Sequence, residues 1–277
     1  MEEMAFIETL KLIFNITHFH AEFIEDFSKS VHHLLKILHR HKVPNPPLQQ
    51  PVNYLINALL NLHSEDPKKR QFHNYPLFPT FNQEANAEHT IKLLNRAVRS
   101  YSEEELDQLA APLLAFIRRI YELAPPDVRR YIEWLLLPSE DERTRPLGQG
   151  DSLSSRLLRL STSPAVPTLR KSISAMMFEL SGKDAETYVR NVGFGFASGF
   201  LMGENMPIPA SAREAWSKEL ENQDGNSTST GSVKINPITG QRIDAEPKDT
   251  LPPMTEEEKE REAERLFVLF ERYAVIH

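Results

Sequence analysis

The stretch MAFIETLKLIFNIT, residues 4–17, is apolar at Met4, Phe6, Ile7, Leu10, Leu12, Ile13, Phe14 and Ile16. Leu10, Leu12, Ile13 and Phe14 together cover most of the circumference of a helix over residues 3–17, and a helix apolar all round is buried on all sides. An N-terminal helix should keep a wet face, and the end unit of a stacked helical array normally carries a polar cap. The pattern therefore predicts an all-α array that this chain enters part-way along. Phe6, Leu10 or Ile13 is then expected as an exposed patch that a further unit would cover, and such patches promote association.

The segments that follow repeat the theme. Residues 21–40 read as a helix with Phe23, Phe27, Val31, Leu34, Leu35 and Leu38 on its inner face, closed by the Pro44–Pro47 turn. Val52–Leu62 is a third helix, and its LLNLH at 59–63 parallels LIFNIT at 12–17, with Asn15 and Asn61 at similar places. Two or three helices per unit, recurring roughly every 40 residues, is armadillo or HEAT spacing. Residues 64–82 alternate prolines with aromatics and read as an ordered loop. Helices resume at 84–100, at 103–123 behind a Ser102/Glu105 capping box, and at 126–137. Pro112 should kink or split the middle one, and the charged loop 139–152 should project from the array. Three further helices follow Ser154, then a short closing helix at Ser211–Glu221 around Trp216.

The expected organisation is an array over 1–222, a linker and arm over 223–254, and a C-terminal helix over 255–277. NQDGNSTSTGSVK at 222–234 is polar and low in complexity, hence a flexible linker. The tail starts at a Thr255/Glu258 capping box just after Pro252 and Pro253. Glu256, Glu257 and Glu258 favour the positive end of its dipole. Ala263, Leu266, Phe267 and Phe270 recur on one helical face, which must dock somewhere.

Composition narrows the function classes. With 20 prolines against 10 glycines, the prolines falling between apolar periodic segments, many short helices are favoured over sheet. A net charge of −7 speaks against a nucleic-acid footprint, which needs clustered Lys and Arg. The absence of cysteine removes disulfides, thiolate catalysis and zinc-finger ligation together. No signal peptide is read at the N-terminus, and no apolar run approaches the roughly 20 residues that span a bilayer. A cytosolic protein with a protein or small-ligand partner is expected.

The chemistry-bearing candidates mostly have plain explanations. Gly193, Gly195, Gly199 and Gly203 lack the sixth-position glycine and the preceding strand of a dinucleotide loop; Gly195, Gly199 and Gly203, four apart, instead suit a closely approaching helix. His18, His20, His32, His33, His39 and His41 show no metal-ligand spacing. The carboxylate runs at 103–107, 140–142 and 256–264 sit at helix starts or in loops, where solvation and the helix dipole account for them. Neither covalent catalysis, nor a metal, nor a cofactor is expected. Asn15, Asn57, Asn61, Arg156, Arg159, Arg190 and Asn191 are polar residues within apolar helices. They read either as surface side chains and caps or as a groove ladder, asparagines for a docked peptide backbone and arginines for carboxylates. Ser139, followed by Glu140, Asp141 and Glu142, suits an acidophilic kinase.

Two blocks carry a family resemblance. The arm NPITG at 236–240 followed by MTEEEKEREAERLFVLFER at 254–272 is similar to the C-terminal part of synembryn, the resistance-to-inhibitors-of-cholinesterase family, in a fungal-like form. Residues 153–203, with SRLLRL, an FEL segment, Tyr-Val-Arg and a glycine-spaced aromatic run, resemble the same family, and FNIT and LLNL extend the likeness faintly toward the start. The closing YAVIH departs from the family pattern. The resemblance implies an armadillo-like array without the early repeats. It also implies a chaperone and guanine nucleotide exchange factor for G-protein α subunits, cytoplasmic or at the cell cortex through its partner, monomeric or association-prone. The family's groove receives the α subunit's C-terminal helix. Asn236, Pro237, Thr239, Gly240, Leu266, Phe267 and Phe270 are the partner-binding candidates of the arm and tail. The alternatives are a helical scaffold for another protein or an inactive remnant.

Overall fold

The computed structural model describes residues 2–62, 76–210, 212–213, 235–246 and 259–265. Twelve α-helices run through the first two of these spans: α1 (Glu2–Phe19), α2 (Ile24–Ser28), α3 (Val31–Arg40), α4 (Val52–Asn61), α5 (Ala85–Ser100), α6 (Glu103–Leu109), α7 (Ala111–Leu123), α8 (Pro126–Leu136), α9 (Leu153–Leu160), α10 (Pro167–Leu180), α11 (Ala185–Val192) and α12 (Phe194–Gly203). Among the described residues the only β pairing is an isolated antiparallel bridge between Ile235 and Arg242. Residues 1–245 form one compact unit and 246–277 another, in which 259–265 are helical. The expected linker at 222–234 and most of the closing helix around Trp216 lie outside the described residues.

Every third helix stacks on the next. α1 packs on α4, α4 on α7 and α7 on α10, which is the nearest-neighbour construction of a repeat array. These four helices begin at residues 2, 52, 111 and 167, so each unit is longer than the expected spacing. The extra length lies in the turn at 41–51 before α4 in the first unit, and in the segments after α4 and after α8 in the others. The stack carries the core: Leu10 of α1, Leu55, Ile56, Ala58 and Leu59 of α4, Leu113, Leu114, Phe116 and Ile117 of α7, and Leu169, Ile173, Met176 and Met177 of α10 are all buried.

Local chemistry sets the helix ends. Ser102 accepts from the Glu105 N–H while Glu105 accepts from the Ser102 N–H at 3.0 Å, closing the expected capping box of α6. Pro112 occupies the first turn of α7, where its missing N–H does no harm, and the chain breaks at Ala110 as expected. The segment expected as one helix over 21–40 is broken instead. A short 3₁₀ turn and α2 precede α3, and only Val31, Leu34, Leu35 and Leu38 of α3 are buried.

The N-terminal helix differs from expectation. Leu10 and Ile13 are buried because, with Thr17, they form the face laid on α4. The exposed apolar side chains are Met4, Leu12 and Phe19, with Leu12 58% and Phe19 75% accessible. Periodicity identified an apolar helix but assigned the free face to the wrong residues.

Candidate functional site

Two constructions stand out on the array. One is a groove of about 550 Å³ across α4, α7, α8 and α10. Its central feature is a bidentate ion pair: Arg118 of α7 donates through Nε to Glu179 Oε2 at 2.9 Å and through Nη2 to Oε1 at 2.6 Å. Both side chains are half-buried, and the bidentate geometry fixes the planar guanidinium. Arg119 pairs with Glu122 at 2.8 Å. Arg129 of α8 donates to the carbonyls of Tyr121 and Glu122 at 3.2 and 2.7 Å, satisfying acceptors that the end of α7 leaves open. Burial, followed by the hydrogen bond to Glu133 at 2.7 Å, pushes the Tyr121 phenol above its ordinary value. The groove thus presents fixed, paired charges beside Leu60 and Ala115, with Lys183 at its edge.

The second construction is the arm at 235–246. Asn236 turns it: its side-chain oxygen accepts from the Ile238 N–H at 2.9 Å, its carbonyl accepts from the Gly240 N–H at 2.9 Å, and its own N–H donates to Gln241 O at 2.7 Å. The turn then serves as the cap of α12. Gly193, at the cap position, has no side chain to satisfy the first N–H groups of that helix. The Pro237 carbonyl accepts from Phe194 N at 2.7 Å, and the Ile238 carbonyl accepts from Gly195 N at 3.0 Å.

The arm is also held from the 139–152 loop. Arg143 is 4% accessible; its Nη1 donates to Gly240 O and its Nη2 to Asn191 O, each at 3.0 Å. Leu147 N donates to Thr239 O at 3.2 Å, and Arg242 N to Arg143 O at 2.8 Å. Burial presses the Arg143 pKa below the ordinary arginine value, which Glu140 and Glu142 oppose. Glu142 is tied to the hydroxyls of Ser152, Ser154 and Ser155 at the start of α9. This loop projects only in part: Ser139, Glu140, Asp141, Thr144, Arg145, Gln149 and Asp151 are exposed, whereas Arg143, Leu147 and Gly148 are buried against the arm and α11–α12.

The other sequence candidates are distributed over the array. Asn15 is exposed on α1; Asn57 and Asn61 are half-buried on α4, and Asn61 Nδ2 donates to Phe14 O at 3.3 Å, joining α4 to α1. Arg156 pairs with Asp151 at 3.1 Å, and Arg159 donates to the Gly148 and Gly150 carbonyls, so both brace the loop before α9. Arg190 is exposed and donates to Thr187 Oγ1 at 3.0 Å, while Asn191 donates to Ser181 Oγ at 3.0 Å. Ser139 is exposed, its hydroxyl accepting from Glu142 N. Asn236, Pro237 and Thr239 are half-buried and Gly240 buried in the clasp. Leu266, Phe267 and Phe270 lie outside the described residues. Of the four-spaced glycines, Gly195 meets the arm, whereas a side chain at Gly199 or Gly203 would meet nothing within 4 Å. The expected close helix is absent there among the described residues.

Sequence reading missed Arg118, Glu179 and Arg143. Arg118 and Glu179 each offer only the signal of a charge within a largely apolar helix, and Arg143 offers none. Among the described residues no three His, Asp or Glu side chains converge as a metal site, and no helix is long and apolar enough to cross a membrane.

Comparison with known proteins gives this architecture a lineage. The sequence model of the family described as guanine nucleotide exchange factor synembryn matches residues 1–274. The chain belongs to the synembryn family. It is 34% identical over 164 residues to a synembryn-like chaperone of Schizosaccharomyces pombe, covering 58% of this chain and 31% of that protein. It is 30% identical over 176 residues to the chaperone Ric-8A of Rattus norvegicus, covering 63% of this chain and 32% of the relative. The matched stretch thus spans about a third of the length of these synembryn relatives.

Proposed function

We propose that this chain binds the α subunit of a heterotrimeric G protein and assists its folding and nucleotide exchange. The family match over residues 1–274 carries this reading. The mechanism is differential binding. An exchange factor speeds release only by binding the nucleotide-free state more tightly than the loaded one, so no bond chemistry is required of the chain. The groove across α4, α7 and α10 suits a segment presenting charged groups to Arg118, Arg119, Glu122 and Glu179. Asn15, Asn57 and Asn61 extend the polar surface along α1 and α4. Arg156, Arg159, Arg190 and Asn191 act by bracing the loop and the end of α11.

The arm in this reading is an anchor. Asn236, Pro237, Thr239 and Gly240 fix the chain to α12, and the tail beyond carries the apolar face Leu266, Phe267 and Phe270 toward the α subunit's nucleotide side. Two contacts joined by one tether bind more tightly than either alone. Ser139, exposed and followed by three acidic residues, is the modification site this reading assigns. The chain works as a monomer in the cytoplasm and reaches the cell cortex through its partner.

The alternative reading is a scaffold that binds another protein without affecting nucleotide. Release of labelled nucleotide from a purified α subunit, with and without this chain, separates the two. Faster release or a higher yield of folded α subunit supports exchange and chaperone action; neither effect leaves the scaffold.

A further inference from the structure

Apart from the groove and the arm, a pocket of about 660 Å³ opens between α3, the segment 76–81 and the start of α5. It shares no lining residue with the groove described above. Its floor is apolar: Leu35 is 4% and Phe78 3% accessible, while Phe81 stands at the rim, 88% accessible. One wall is a single face of α3, where His32, Lys36 and His39 recur at i, i+4 and i+7.

The walls are pinned to one another. Asn86 is buried; its side-chain oxygen accepts from His39 Nε2 at 2.7 Å and its Nδ2 donates to Leu77 O at 2.8 Å. One amide therefore ties α3, α5 and the 76–81 segment together, so the pocket is formed before anything enters it, which lowers the ordering cost of binding. In a protein of net charge −7, no carboxylate is among the residues lining this pocket, and the ionisable groups that do line it are the two histidines and Lys36. Lys36 has no carboxylate partner among the described residues.

We infer that this pocket is a second protein-docking site, taking an acidic peptide segment that presents one bulky apolar side chain. The apolar side chain enters over Leu35 and Phe78 against Phe81, and the flanking carboxylates lie along His32, Lys36 and His39. Apolar burial supplies affinity while the charges select the partner, as at other helix or peptide grooves.

The test uses the full chain and a labelled 12-residue peptide of glutamates around a central tryptophan, followed by fluorescence anisotropy. Two control peptides carry lysine for every glutamate, or alanine for the tryptophan. The acidic tryptophan peptide should bind at least about tenfold more tightly than either control, and it should shift the His32 and His39 imidazole proton resonances. Lys36→Glu should abolish or invert the preference for acidic over basic peptide, and Phe81→Ala should weaken the tryptophan peptides; both residues are exposed, so neither change disturbs the core. No binding at millimolar peptide, equal binding of the basic peptide, or an unchanged preference in Lys36→Glu would overturn the assignment. The peptide series on the unaltered chain tests it independently of any variant's folding.

Discussion

The Arg143 guanidinium and the Gly240 carbonyl oxygen, 97 positions apart in the chain, meet at 3.0 Å in the interior. A second carbonyl, that of Asn191, takes the other terminal nitrogen. Arg143→Ala leaves two carbonyls without their charged donor and opens a void where the guanidinium lay. Stability should fall by about 2–4 kcal/mol, measured by chemical denaturation, and the bonds around residue 240 should become sensitive to limited proteolysis. Arg143→Lys should recover only part of the loss, since one ammonium cannot reproduce the two-armed geometry.

Gly240 adopts φ +69°, and a Cβ there would overlap Leu147 Cδ1. Gly240→Ala should therefore destabilise by about 1–3 kcal/mol through backbone strain and overpacking together. Gly193→Ala should act on the same contact from the other side, because its φ is +81° and its Cβ would meet the Ile238 carbonyl oxygen at 2.9 Å. The double variant should lose less than the sum of the two, since either change already displaces the arm. Thermal melting of the three variants checks this.

His89 reports on pH. Its ring lies 4.3 Å from that of His39, Nε2 is buried with no hydrogen-bond partner, and burial, then the charge of His39, lowers its pKa from 6.5 to about 4. The folded value is below the unfolded one, so the folded state disfavours the proton. Stability is complete above pH 6.5 and is lost as pH falls toward 4, by about 1–3 kcal/mol in total. His89→Gln should flatten that part of the denaturation-midpoint profile.

Arg118 and Glu179 form the best-defined pair in the groove. Single replacement of either by alanine should destabilise by about 1–2 kcal/mol and the double replacement by less than the sum, with a coupling of about 1 kcal/mol for a half-buried bidentate pair. If the groove receives the α subunit, both single variants should also weaken that binding beyond what their melting explains. Binding unchanged by either variant would remove the groove from the mechanism.

The tail prediction concerns Leu266→Ala with Phe270→Ala. Each large side chain is worth roughly 1.5–3 kcal/mol when fully buried, so the pair should weaken α-subunit binding and slow exchange while the array's helix content and melting stay unchanged. Loss of the array's own stability in step with binding would make the tail a structural cap instead.

The helices were legible because their signals are local. The Ser102/Glu105 box, the break before Pro112 and the stretch at 126–136 each depend on residues within one or two turns. What was not legible depends on partners far along the chain. Nothing near Arg143 marks it as interior, since its neighbours Glu140, Asp141, Glu142 and Thr144 are those of a solvated loop; only contact with residues 191 and 240 makes it so. The free face of α1 was misassigned for the same reason, because apolarity all round a helix does not reveal which side meets α4. At the groove, Arg118 and Glu179 lie 61 positions apart, and each by itself is only a charge in an apolar helix.

The α12 cap comes from carbonyls at 237 and 238, each 43 positions along the chain from the N–H group it receives. At a synthesis rate of about 5–20 residues per second, the interval between the emergence of Arg143 and that of Gly240 is roughly 5–20 s. During that time the guanidinium has no carbonyl from the arm to receive it, and the first N–H groups of α12 have only water. The array's last helices are thus held in a provisional, hydrated state until the arm leaves the ribosome and seals them.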